Sequence, residues 1–272
     1  VLKFGNDELK RQYLPKLALG EIIGGFAEPQ LTEVNFKIDG DNVSLNGSSR
    51  NIICGAARGL FLLLAREAAG NSKLTAIVVE GSAEGVKIKG KTETSGMRAA
   101  GMREVVFENL TVPRRNIIGQ VGEGQMIYDA ICDRARIGLS AIGLGLSQAA
   151  VDSSIKYART RIQFSEPIIN FGMVRSKIAE MVTRTQVIRL LVYDAALKCS
   201  QNREFTNESA MAKYLAARFA TQNTTDAIQI HGGYGYTKDY PVERYFRDSQ
   251  ICAVICGSSY QDREFIAKRT IG

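Results

Sequence analysis

The sequence contains one histidine, His231, and five cysteines (Cys54, Cys132, Cys199, Cys252 and Cys256) with no C-x-x-C pair among them. A lone imidazole and scattered thiols do not make a zinc site, whose ligands come as closely spaced Cys and His pairs. An odd cysteine count without a framework spacing also argues against a disulfide scaffold and for a reducing compartment, cytosolic or organellar. Long apolar runs are missing too. The longest, Leu60 to Ala65, is closed by Arg58 and Arg66, far short of the ~20 residues a membrane helix needs. Lys and Arg are spread among the acids, with no basic run interleaved with aromatics. The net charge of +7 therefore points to an anionic small molecule or an acidic protein partner rather than to nucleic acid. There is no internal repeat and no low-complexity tract. The opening "VLKFGNDELKRQYLPKLALGE" is a charged amphipathic segment without the apolar core or cleavage site of a signal peptide. Val1 in place of Met suggests a chain truncated or processed at its N-terminus.

What is present is a sizeable apolar fraction, 45% of 272 residues, which suits a globular protein of two domains. Leu9, Tyr13, Leu14 and Leu17 recur at helical spacing before Gly20, so residues 1–20 read as one helix. From residue 21 to 118 short alternating or apolar runs are cut by turn signals, the pattern of a β-domain built as a small barrel. Within it Asp39-Gly40 separates two alternating runs and predicts a hairpin, because glycine tolerates the positive φ of a tight turn. After Pro113 strands disappear. Residues 124–159, 168–199 and 205–230 carry apolar positions at i, i+3, i+4 and i+7. They predict three long antiparallel helices in a bundle, followed by shorter helices near 241–248 and 258–270. The small residues of "GLSAIGLGLSQAA" would let one helix of that bundle approach another closely.

Three segments at helix ends carry candidate chemistry. In "YARTRIQFSEPI", Arg161 and Phe164 lie at a break marked by Pro167, where a guanidinium and an aromatic ring suit a phosphate and an adenine. The alternative is an ordinary surface arginine above a core phenylalanine. In "AIQIHGGYGYTKDYPVERYFRD", Gly232, Gly233 and Gly235 follow a long helix, so the chain can turn left-handed there or come close to another backbone. His231, beside them, reads as a histidine packed at a helix end without a catalytic role. The third segment, "ICGSS", sets Cys256 before a turn that opens the last helix.

These segments, with "GGFAEP" and "GMRAAGMREVVFENLTVPRRNIIGQVGEGQ", resemble the acyl-CoA dehydrogenase family in order and spacing along the whole chain. The resemblance implies an α+β, mainly α fold: a middle β-barrel-like domain (21–118) and a C-terminal four-helix bundle (119–272). Residues 1–20 would stand for the last helix of the family's N-terminal helical domain. It further implies non-covalent FAD, removal of an α-proton and a β-hydride from a fatty acyl-CoA, and electron delivery to an electron-transfer flavoprotein. The bundle would build a dimer or tetramer, homo- or heteromeric. A cytoplasmic location, or the mitochondrial matrix in a eukaryote, follows.

By that resemblance the FAD-binding residues are Arg161, Phe164, Gln229, Gly232, Gly233 and Ser258, holding the ADP half across a subunit interface, and Arg136 faces the substrate. The family's "TEPxAGSD" segment is here "AEPQLTEVNF", with Ala27 for the threonine, Glu28-Pro29 kept and the Gly-Ser-Asp part absent. Its "WITN" strand is "NIIC", with Asn51 and Ile53 where an aromatic and a threonine face the flavin. Isoleucine cannot donate a hydrogen bond, which leaves a buried polar edge unpaired at about 1–3 kcal/mol. Cys256 stands where most members carry the catalytic glutamate of "YEGT", and Ala135, before Arg136, stands at the alternative base position. A carboxylate there removes a weakly acidic C–H proton, whereas a buried cysteine ordinarily packs as a small hydrophobe. Two readings follow: an oxidoreductase working with an unusual base or with water, or a non-catalytic subunit completing the FAD site of a catalytically complete partner.

Overall fold

The computed structural model describes residues 1–53, 59–68, 70 and 73–272; Cys54 and Arg58 lie outside them. Two compact units are present, Val1–Thr94 with Arg98–Ile131, and Ser95–Met97 with Cys132–Gly272.

In the first unit, α1 (Asp7–Ala18) is capped by Asn6, whose side chain accepts from the Leu9 amide at 2.9 Å. It buries Leu9 and Tyr13, and Tyr13 donates its hydroxyl hydrogen to Glu80 at 2.8 Å. The strands are β1 (Ile23–Phe26), β2 (Thr32–Asp39), β3 (Asn42–Ile52), β4 (Gly59–Glu67), β5 (Leu74–Glu80), β6 (Val86–Lys91), β7 (Arg103–Pro113) and β8 (Ile117–Ile118). They form one sheet in the order β6-β7-β3-β2-β4-β5-β8, with β1 added parallel to β4. Alternate side chains of each strand reach one face, and there Val34, Phe36, Val43, Leu45, Phe61, Leu63, Ile77, Val79, Val105 and Phe107 make a continuous core. The expected β2–β3 hairpin forms: Asp39 pairs with Asn42, and Gly40 takes φ +56° in the turn.

The second unit is helical. Helix α2 (Gly124–Thr160), which belongs to this unit from Cys132 onward, is followed by the small ribbon β9 (Ile162–Gln163) and β10 (Glu166–Pro167), then α3 (Gly172–Ser200) and α4 (Thr206–His231). Short helices α5 (Gly233–Tyr236), α6 (Val242–Ser249) and α7 (Ile251–Val254) lead to α8 (Ser259–Ile271). The apolar stripes of α2, α3, α4 and α6 meet in a core of Ala150, Val151, Ala158, Ile178, Met181, Ala227, Ile230 and Val242. Small residues do bring helices together: a Cβ built on Gly143 would lie 3.2 Å from the Ala216 Cβ, so α2 and α4 pass at close range. No helix among the described residues is long and apolar enough to cross a membrane.

Candidate functional site

The end of α2, the β9–β10 ribbon and the end of α4 border an open cavity of about 440 Å³, within the range of small-molecule sites. Tyr157, Arg161, Gln163, His231, Gly232 and Gly233 are among its lining residues. Arg161 directly follows α2, its amide bonded to the Tyr157 carbonyl at 2.9 Å, and its guanidinium lies 5.8 Å from the Tyr234 ring. Gly232 takes φ +59° and stops α4, a conformation that L side chains rarely adopt. Gly235 answers a different need, since a Cβ there would sit 2.4 Å from the Ile228 carbonyl oxygen. Gly233 opens the short helix α5.

Behind the glycines His231 is buried, its ring stacked on Tyr157 at 4.3 Å and edge-on to Tyr240 at 5.1 Å. Its Nδ1 lies 2.8 Å from the Ala227 carbonyl. A carbonyl only accepts, so Nδ1 carries the proton and Nε2 is a bare acceptor. Burial holds the imidazole pKa below its usual 6.5, which keeps the ring neutral near pH 7. Nε2 has no hydrogen-bond partner among the described residues, a cost of about 1–3 kcal/mol that folded proteins seldom leave without a purpose.

Of the six residues assigned to the cofactor, the structure brings three, Arg161, Gly232 and Gly233, to one cavity wall. Phe164 projects beside it. Its ring is 90% exposed, so it is no core phenylalanine, and it tips a two-residue turn in which Phe164 (φ +50°) and Ser165 (φ +66°) are both left-handed. Gln229 is exposed on α4, outside the wall. Ser258 caps α8: its Oγ accepts from the Gln261 amide at 3.3 Å while the Gln261 side chain accepts from its own amide at 2.7 Å. That use of the oxygen leaves the hydroxyl hydrogen available to a ligand.

Cys256 sits on a second construction. It is buried, at φ +56°, and the next carbonyl, Gly257 O, accepts from Lys213 Nζ at 2.6 Å. Lys213 also bonds Asp262 Oδ2 at 2.7 Å, with side chains 0% and 1% exposed. Burial pushes the Asp262 carboxyl up while Lys213 draws it down. Arg136 completes the group, 3.0 Å from Asp133 and 3.8 Å from Asp262, with Phe265 beneath its guanidinium at 4.7 Å. Asp133 is further held by Thr206 at 2.8 Å. Arg136, assigned to substrate, is thus engaged with protein carboxylates, and both nearby aspartates are committed to ion pairs. Reading motifs alone missed Lys213 and Asp262. A lysine amid the alanines of "SAMAKYLAA" lies on the inward stripe of α4, and a charge on a buried stripe signals a buried partner.

Residues 122–271 match the model of the acyl-CoA dehydrogenase C-terminal domain. Along its whole length the chain is 35% identical to an acyl-CoA dehydrogenase of Bacillus subtilis, covering 74% of that protein. The chain belongs to the acyl-CoA dehydrogenase family. Butyryl-CoA dehydrogenase from Megasphaera elsdenii superposes with a TM-score of 0.94 at 30% identity, over 100% of this chain and 74% of the other. An FAD-dependent dehydrogenase does so at 0.94 and 29% identity, over 99% and 75%. Within this acyl-CoA dehydrogenase fold, the residues fit FAD in one half. Arg161 offers a cation, and the glycines a backbone without side chains, to a nucleotide's phosphates. The positions expected to face the flavin ring offer less: Ala27 is fully buried with its amide bonded to Leu62 O, Ile53 is aliphatic, and Asn51 is exposed at φ +57°.

Proposed function

We propose that this chain is a subunit of an FAD-linked acyl-CoA dehydrogenase that grips the ADP half of the cofactor and does not itself remove the substrate α-proton. The cavity that gathers Arg161, Gly232 and Gly233 beside aromatic faces carries this reading. Arg161 binds the diphosphate through a planar fork of donors. The glycines let phosphate approach the backbone, Phe164 offers its exposed ring to the adenine, and Ser258 donates its hydroxyl hydrogen. When bound, the flavin accepts the β-hydride of the acyl chain.

Proton removal falls outside this chain. Position 256 holds a buried thiol, Ala135 has no acidic group, and Asp133 and Asp262 are neutralised by Arg136 and Lys213. A partner protomer with a complete site, joined through the helical bundle, supplies the carboxylate and the ring contacts, and electrons leave to an electron-transfer flavoprotein. Restoring the carboxylate tests the assignment. Cys256→Glu in the chain by itself gives no acyl-CoA-dependent dye reduction, because the ring-facing groups remain absent. Turnover by that variant alone would overturn the subunit reading and leave the lost base as the only lesion.

A further inference from the structure

The ADP reading leaves one group of the cavity unused: the bare, buried Nε2 of His231, in a wall that already holds Arg161. Arg161 directly follows α2, its amide bonded to the Tyr157 carbonyl of the last turn, and His231 stacks on Tyr157. Arg161 and the His231 ring therefore belong to one cavity wall, and the lone pair is buried behind it. A ligand matching both carries phosphate at one end and a hydrogen-bond donor a few bonds away. A nucleoside diphosphate does this, with sugar hydroxyls as the donors. A phosphate on the sugar reverses the match, because at neutral pH it brings negative charge and no proton to a lone pair. Two adenosine diphosphates meet a protein of this kind, the plain one in FAD and the one in coenzyme A, which bears an extra phosphate on its ribose.

We propose that His231 is the specificity residue of this cavity: its Nε2 accepts the hydrogen of a ribose hydroxyl, so the site takes an adenosine diphosphate with an unmodified sugar and refuses the 3′-phosphorylated one that ends coenzyme A. The inference rests on the ADP reading above and adds to it a means of keeping the substrate's nucleotide out of the cofactor's place. Nε2 is closed to solvent, so the hydroxyl reaches it by a slight opening of the Tyr157–His231 stack.

Because His231 is the sole histidine, its imidazole nitrogens can be followed in the full-length, ¹⁵N-labelled chain without assignment. The chain is titrated separately with inorganic phosphate, ADP and 3′-phosphoadenosine 5′-diphosphate. ADP shifts the Nε2 resonance, phosphate alone does not, and the 3′-phosphorylated nucleotide binds at least about tenfold more weakly. In His231→Phe, which keeps a stacking ring, ADP affinity falls about tenfold, the worth of one hydrogen bond, and the preference between the two nucleotides drops to about twofold. Should that variant fail to fold, the wild-type titration decides alone. ADP binding that depends on Arg161 but leaves Nε2 unmoved, or equal affinity for the two nucleotides, overturns the His231 assignment only. Absence of ADP binding, or ADP binding unchanged in Arg161→Ala, overturns the ADP reading and this inference with it.

Discussion

Replacing Lys213 by methionine isolates the construction beneath the Cys256 turn. The ammonium is fully buried, 2.7 Å from a carboxylate that is itself 1% exposed, so water screens neither charge. Removing one member of such a pair strands the other, at about 3–5 kcal/mol. Arg136, 3.8 Å from the other carboxylate oxygen, still offers partial compensation, which places the loss near the lower end, about 3 kcal/mol. At about 2–4 °C per kcal/mol for a domain of this size, the melting temperature falls by about 6–12 °C. Since burial already pushes the Asp262 carboxyl up, the lone carboxyl in the variant protonates on mild acidification, and the deficit shrinks as pH falls. Lys213→Met combined with Asp262→Leu removes both charges and recovers most of the loss, because a buried ion pair is often worth no more than an apolar pair of like volume. Circular dichroism melts of the two single variants and the double complete the cycle. A Lys213→Met protein melting within about 2 °C of wild type, or a double variant as unstable as the single, would refute the reasoning.

Gly235→Ala drives a methyl into the Ile228 carbonyl, 2.4 Å from the built Cβ; the expected cost is about 1–3 kcal/mol in thermal melts, with weakened ADP binding because α5 must shift. His231 gives a pH signature. Its folded pKa is lowered from 6.5 by burial, so the unfolded chain takes up a proton first. The stability this group contributes is full above about pH 6.5 and is lost as pH falls from there toward the folded value. Melts between about pH 7 and pH 5 decline in wild type and lose part of that decline in His231→Phe; identical profiles would contradict a buried neutral ring.

The long helices were legible because burial on one side leaves a 3.6-residue signal, and α2, α3 and α4 begin and end within a few residues of the periodic stretches. Gly40 was legible because its turn needs a positive φ that few residues tolerate. The glycines after α4 were legible as a class but not individually: Gly232 serves a positive φ, Gly235 a close approach, and Gly233 neither. The β9–β10 turn escaped detection because Phe164 and Ser165 are not residues that favour a left-handed backbone. Lys213 and Asp262 are far apart in sequence and become partners only when α4 and α8 pack. The same holds for Tyr157, His231 and Tyr240, whose meeting depends on α2, α4 and the loop before α6. Motifs thus pointed to the cavity's cation and glycines, while the bare acceptor behind them emerged only from tertiary packing.

The visible absorption of the purified chain tests the central claim most directly, recorded alone and after co-expression with a catalytically complete acyl-CoA dehydrogenase. The account predicts a colourless chain alone, and a yellow complex whose flavin content drops when Arg161 of this chain is replaced by alanine. A lone chain that purifies with one flavin per protomer, bleached on adding acyl-CoA, would contradict it.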